Sequence, residues 1–171
     1  SELEAVRARV LQMGGIVEDQ IVRGLDALAR GDTALAARVV EDDHRVNALE
    51  VAIDEDCSTI IARRQPAAGD LRMLLMIVKT ITDLERIGDL CVNICERVVE
   101  LNEEAPLQPV GDLTNLADEA IALVHDALDA LVARDVDKAK ALLGRDAIIG
   151  NSRAMQEIYK DFGLKLPGVT R

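Results

Sequence analysis

Two pairs of acidic residues at helical spacing are the part of this sequence best suited to chemistry. Glu85 and Asp89 stand four residues apart, and so do Glu50 and Asp54, so each pair occupies one face of a helix. Like charges at this spacing repel each other and slightly destabilise a helix. Because facing helices that project several carboxylates toward one another commonly hold metal ions, the pairs indicate a metal site.

Neighbouring polar residues extend the same helix faces. Asp43 and Asn47 precede the first pair, and Asn93 follows the second pair by four residues. The predicted metal ligands and flanking partners are Glu50, Asp54, Glu85, Asp89, Asp43, Asn47 and Asn93. With only two histidines in the chain and no Glu-x-x-His, ligation would be almost wholly by oxygen. Oxygen ligands suit Mg²⁺, Mn²⁺, Ca²⁺ or iron (ferric) better than structural Zn²⁺.

Two alternatives to this metal site stay open. Acidic residues on helices are mostly solvated, so the carboxylates are also compatible with a plain structural bundle. An enzyme with two carboxylate-bridged metal ions is the other alternative, although the chain lacks Glu-x-x-His and any Ser-His or Cys-His combination. The three cysteines, Cys57, Cys91 and Cys95, lack Cys-x-x-Cys spacing, and we expect them to be small, buried and reduced.

The composition predicts an all-α protein. Apolar residues make up 49% of the 171, yet Tyr159 and Phe162 are the only aromatic residues. Strand-rich folds and sites for single-stranded nucleic acid both rely on aromatic side chains, so both classes are disfavoured. The formal charge of −11 also argues against binding to DNA phosphates. The sequence has no run of 18 apolar residues and no visible secretory signal, and it predicts neither membrane insertion nor export.

Sparse turn signals predict five long helices. Glycine, proline and aspartate at the breaks place the helices at about 2–30, 32–64, 70–103, 112–134 and 136–160. The third helix has an apolar seam at heptad spacing, made of Leu74, Ile77, Ile81, Leu84, Gly88, Cys91, Cys95 and Val98. Long helices with such a seam are typical of a bundle.

An internal repeat divides the chain. The residues 25–28 (LDAL) recur at 128–131, and at the same shift of 103 Asp32 matches Asp135 and Ala36 matches Ala139. The repeat predicts a duplicated helical hairpin, in which only the first copy is followed by a third long helix. We therefore expect a first three-helix bundle at 1–104, a linker at 105–111 and a partial second repeat at 112–171.

Three segments resemble the phosphate-transport-system regulator family, the PhoU proteins. The segments are Leu11–Glu18 (LQMGGIVE), Ile61–Pro66 (IARRQP) and, most specifically, Thr82–Asp89 (TDLERIGD). The resemblance implies a pair of three-helix bundles with Glu/Asp-x-x-x-Asp motifs that bind metal clusters, whose counterparts here are Glu50–Asp54 and Glu85–Asp89. It also implies a cytoplasmic, non-enzymatic adaptor that represses the phosphate-starvation response. The implied partners are the ATPase subunit of the ABC phosphate transporter and a phosphate-sensing histidine kinase.

The second half departs from the family pattern. It lacks the final helix with a second Glu-Arg-Ile-Gly-Asp motif, so a second metal site is not expected. A bundle without that helix exposes an apolar stripe that includes Leu116, Ile121, Leu128 and Leu131. Because self-association would bury this stripe, the sequence predicts a homodimer.

Overall fold

The computed structural model describes residues 1–102 and 113–150, and every regular element within those two ranges is an α-helix. The helices are α1 (Glu2–Arg30), α2 (Thr33–Asp42), α3 (His44–Arg64), α4 (Ala68–Leu101), α5 (Leu113–Ala133) and α6 (Val136–Gly150). The all-α prediction is confirmed. The predicted linker at 105–111 and the predicted helical residues 151–160 lie outside the described residues. Within the described ranges, no helix is both long and apolar enough to cross a membrane.

The predicted helix at 32–64 is wrong as a single element, because Asp43 divides it into α2 and α3. Around Asp43 the backbone bonds tighten from the i+4 to the i+3 pattern: its N–H donates to Val40 at 3.3 Å, and its carbonyl accepts from Val46 at 2.9 Å. The ring Nδ1 of His44 lies 2.6 Å from the carbonyl oxygen of Glu41. The imidazole ring of His44 thus takes part in local hydrogen bonding that competes with a continuous helix.

The buried seam of α4 organises the first half of the molecule. All eight predicted seam residues are buried, together with Met73. α4 packs against α1, α2 and α3, and α1 also packs against α2 and α3. Because α2 and α3 together take the place of one long helix, these four helices build a three-helix bundle. Its core consists mainly of aliphatic, methionine and cysteine side chains, as the scarcity of aromatic residues predicts.

The chain forms two compact units, Ser1–Leu107 and Gln108–Arg171. In the second unit α5 packs against α6. Leu128 on α5 is only 5% exposed, while Ile121 and Leu131 are half-buried. The predicted apolar stripe is therefore only partly exposed, and the side chain of Leu116 lies outside the described residues.

The two helical hairpins share one turn geometry. The carboxylates of Asp32 and Asp135 each accept from the backbone N–H three residues later, in both cases at 2.9 Å. Their own N–H groups each donate to the carbonyl five residues earlier, again at 2.9 Å. The preceding residues, Gly31 and Arg134, have φ of +62° and +56°. Equal hydrogen bonds at a shift of 103 residues support the duplication inferred from the sequence.

Candidate metal centre

The carboxylates of the candidate site come from two packed helices. α3 supplies Glu50 and Asp54, α4 supplies Glu85 and Asp89, and the two helices are in contact. Glu50 and Glu85 are half-buried, whereas Asp54 and Asp89 are exposed. The carboxylates of α3 therefore lie beside the buried side of that helix and not within it. We call these four residues the carboxylate cluster.

The pKa of Glu85 reflects the negative charge of its neighbours. Partial burial raises its pKa, and the negative charges of Asp89, Glu50 and Asp43 raise it further. The structure thus brings Glu85 close enough to Asp89, Glu50 and Asp43 for their charges to repel, while Asp54 makes no such contribution. A bound cation would turn this repulsion into attraction.

Asp43 lies where three helices meet. Its Oδ1 accepts from Nε2 of Gln20 on α1 at 2.9 Å, and its Oδ2 accepts from Nδ2 of Asn47 at 3.1 Å. Its charge also raises the pKa of Glu85 and of Cys91 on α4. Asp43 therefore connects α1, the α2/α3 break and α4, and Asn47 supports it as a hydrogen-bond partner.

Gln20 is a polar residue of this site that the motifs do not indicate. It is 1% exposed, and it is the only buried polar or charged side chain in the described part of the chain. Its Oε1 is buried and has no hydrogen-bond partner among the described residues. The signal was present in the sequence, since Gln20 interrupts the apolar heptad positions of α1 at Val10, Met13, Val17 and Ala27.

Gly88 explains how α4 approaches this polar pair so closely. A Cβ added to Gly88 would lie 3.1 Å from Gln20 Oε1 and 3.2 Å from Asp43 Oδ1, and 3.7 Å from a methyl carbon of Val46. Both oxygens therefore face the same small space beside the α4 backbone. We call the hydrogen-bonded pair Gln20 and Asp43 the polar junction. The glycine within the Glu-Arg-Ile-Gly-Asp segment is needed for close packing around it.

The donor set fits an oxygen-preferring cation in its chemistry, but not yet in its geometry. The orphaned Gln20 Oε1 and the clustered carboxylates are hard oxygen donors of the kind that Mg²⁺, Mn²⁺ and ferric iron prefer. Among the described side chains, however, no three His, Cys, Asp or Glu groups converge closely enough to hold a metal ion. Asn93 is exposed one turn beyond Asp89, outside the contacts just described. Binding would require exposed carboxylates to rotate.

The cysteines are core residues, as predicted. All three are free thiols and almost fully buried. Burial, assisted by Asp54 and Asp56, raises the pKa of Cys57 to about 11. Burial also raises the pKa of Cys91 to about 12, with smaller contributions from Cys95 and Asp43. Such thiols are protonated at neutral pH and are poor nucleophiles and poor metal ligands.

Comparison with known proteins adds a family assignment to this geometry. The family model described as "PhoU domain" matches residues 10–98, which include parts of α1 and α4 and all of α2 and α3. The "Phosphate-specific transport system accessory protein PhoU" of Serratia marcescens is 42% identical over 146 residues, which are 85% of this chain and 60% of that protein. The protein of the same name from Escherichia coli K12 is 43% identical over 146 residues, or 85% and 61% of the two chains. The chain thus spans about 60% of the length of these curated relatives.

Solved structures give the same result. The crystal structure of PhoU from Pseudomonas aeruginosa superposes with a TM-score of 0.84 at 37% identity, covering 95% of this chain and 79% of that one. The phosphate transport system regulatory protein PhoU from Streptococcus pneumoniae superposes with a TM-score of 0.77 at 27% identity, covering 85% and 69%. These names describe accessory and regulatory proteins rather than enzymes.

Proposed function

Since the chain belongs to the PhoU family, we propose that it is a non-enzymatic, cytoplasmic regulator of phosphate uptake that represses the phosphate-starvation response when phosphate is plentiful. The observation that carries the proposal is the family match over residues 10–98, which contains the Glu85–Asp89 segment and the helix break at Asp43. In this role the chain connects the ATPase subunit of the phosphate ABC transporter with a phosphate-sensing histidine kinase. The names of the relatives, which place them with the phosphate-specific transport system, support this role.

Deletion of the gene tests the regulatory role. A strain that lacks the gene should express a phosphate-starvation reporter at high phosphate, and expression of this protein from a plasmid should restore repression. Normal repression in the deletion strain would contradict the proposal. The variant Gly15→Ala, which changes an open position on α1, is a suitable control for complementation.

The carboxylate cluster is proposed to bind an oxygen-preferring cation such as Mg²⁺, Mn²⁺ or ferric iron. Glu50, Asp54, Glu85 and Asp89 would be the ligands, while Asp43 with its flanking amides would support them. The raised pKa of Glu85 supports the proposal, because it indicates that carboxylate charges are confined together. The cation would have a structural or sensing role and would neutralise this charge.

Thermal unfolding tests the cation site. Ligand at 100 times its dissociation constant stabilises a protein by about 2.7 kcal/mol, so Mn²⁺ should raise the melting temperature of the protein. The double change Glu85→Gln with Asp89→Asn should abolish that rise. The matched control is Glu96→Gln with Glu100→Gln, which alters two exposed acids at the same spacing on α4. A full Mn²⁺ response in the first double variant would refute this assignment of ligands.

We also propose that a second copy covers the apolar surface of the second unit. Val136 and Leu143 on α6 are 62% and 75% exposed, and Ile121 and Leu131 on α5 are only half-buried. Exposed apolar residues of this size commonly mark an interface. Light scattering should report a homodimer at micromolar concentration, and a monomer at high micromolar concentration would refute this proposal.

A further inference from the structure

α4 has a second line of residues at heptad spacing on the side away from its buried seam. Successive members are separated by three, four or seven residues, so they follow one face of the helix. All of them are exposed. We call these residues the outer stripe. Its members are Arg72, Leu75, Lys79, Thr82, Arg86, Leu90 and Arg97, together with the adjoining Met76.

The outer stripe exposes large apolar side chains. Leu75 is 50% exposed, Met76 is 53% exposed and Leu90 is 61% exposed. Leu75 and Met76 lie two turns or more before Arg86, and Leu90 lies one turn after it, so apolar and basic residues alternate along the face. Single exposed leucines are ordinary on a protein surface, but here two leucines and a methionine share one helix face with basic residues.

The charge of the outer stripe is opposite to that of the protein around it. Residues 1–104 contain 21 acidic and 12 basic residues, yet the face that carries the outer stripe has four basic residues and only two acids, Asp83 and Glu100, of which Glu100 pairs with Arg97. Within the described ranges, Lys79 and Arg86 have neither an ion pair nor a hydrogen bond through their charged groups. They are seven residues apart, which corresponds to a rise of about 10.5 Å along α4. A complementary partner should therefore present acids at a similar spacing.

We propose that the outer stripe is a docking surface for an acidic amphipathic helix of a partner protein. A helix fits because the heptad spacing offers a straight line for side chains that repeat every third or fourth residue. An acidic helix fits because its carboxylates would face the unpaired cations, while its apolar residues would cover Leu75, Met76 and Leu90.

An anionic membrane fits this surface less well. A helix that lies on a membrane needs a broad apolar face, and the broad apolar face of α4 is already buried in the bundle. The outer stripe runs beside the carboxylate cluster on α4, but it shares no residue with the proposed cation ligands. The inference therefore goes beyond the proposed function and does not depend on metal binding.

Titration with synthetic peptides tests the surface. The probe is an amphipathic helix of about three heptads with a leucine seam flanked by glutamates, and its partner probe has lysines in place of the glutamates. The glutamate peptide should bind the full chain, and the lysine peptide should bind at least tenfold more weakly. The double variant Lys79→Glu with Arg86→Glu should weaken binding of the glutamate peptide at least tenfold and strengthen binding of the lysine peptide.

A control variant separates the outer stripe from overall charge. Arg38→Glu with Arg63→Glu makes the same change in net charge at two exposed arginines on α2 and α3, and it should bind the glutamate peptide within about twofold of the unmodified chain. Equal weakening in both double variants, or no binding of the glutamate peptide, would overturn the proposal. It would also be overturned if the Lys79/Arg86 variant lost binding to phosphatidylserine vesicles but not to the peptide, or became monomeric while peptide binding was unchanged.

Discussion

Replacing Gly88 by alanine tests the close packing around the polar junction of the first bundle. The new methyl group would lie 3.1 Å from Gln20 Oε1 and 3.2 Å from Asp43 Oδ1, closer than ordinary contacts between such atoms. Neither oxygen moves freely, because the two side chains are joined by a 2.9 Å hydrogen bond and Gln20 is fully buried. The substitution must therefore displace the pair or the helix.

The magnitude follows from two opposing contributions. Alanine is more favourable than glycine inside a helix by about 1 kcal/mol. Overpacking a core costs about 1–3 kcal/mol, so Gly88→Ala should leave the free energy of unfolding unchanged or lower it by up to about 2 kcal/mol. Gly15 on α1 provides the matched control, because a Cβ there has no atom within 4 Å. Gly15→Ala should stabilise the protein by about 1 kcal/mol.

Urea unfolding followed by circular dichroism measures both variants. The free energies of unfolding of Gly88→Ala and Gly15→Ala should differ by about 1–3 kcal/mol. The Gln20→Ala background supplies a further check, because it removes one of the two close oxygens and should make Gly88→Ala less unfavourable. If Gly88→Ala stabilised the protein as much as Gly15→Ala does, the argument for a tight polar junction would be refuted.

Three further outcomes are expected. The raised pKa values of Cys57 and Cys91 predict that a thiol reagent at pH 8 reacts slowly with the folded protein and rapidly in urea; fast reaction without urea would contradict their burial. The raised pKa of Glu85 means that its repulsion is fully present above that pKa and is relieved as pH falls, so in chelator Glu85→Gln should stabilise the protein by about 0.2–0.5 kcal/mol at pH 7. This gain should shrink as the pH is lowered through the titration of the glutamate, and a gain that is independent of pH would refute the electrostatic cause. Asp32→Ala and Asp135→Ala each remove a helix cap and should each cost their own unit about 1 kcal/mol, measured by hydrogen exchange; unequal losses would contradict the shared turn geometry.

The sequence was sufficient for the parts of the fold that periodicity determines. The heptad seam of α4 is buried at every predicted position, because burial of one helix face requires a repeat near 3.5 residues. The acid pairs share helix faces for the same reason, and α3 and α4 bring Glu50 within electrostatic reach of Glu85. Periodicity does not, however, determine the side-chain torsion angles on these helices. It therefore predicted the cluster but could not place its atoms around a cation.

The helix break at Asp43 was not predicted because no strong helix breaker stands there. No proline or glycine marks this position, and the residues on either side continue the helical pattern. The hydrogen bond between Asp43 and Gln20 of α1 was not predicted either, because the two residues are separated by 23 positions along the chain. Gln20 itself was readable as a polar residue at a core position. Its partner Asp43 could not be identified from the sequence, since several acids of α2 and α3 could have faced Gln20.

The Gln20–Asp43 hydrogen bond also restricts how the helices of the bundle can align. A core made almost entirely of small aliphatic side chains offers similar contacts when one helix slides by a heptad, so such bundles are prone to register shifts. A single buried amide removes this degeneracy, because only one alignment places Gln20 opposite both Asp43 and the space left by Gly88. Any slipped alignment would bury the amide among apolar side chains without its partner. The polar junction thus selects one register for the first bundle and fixes which acids of α3 stand beside those of α4.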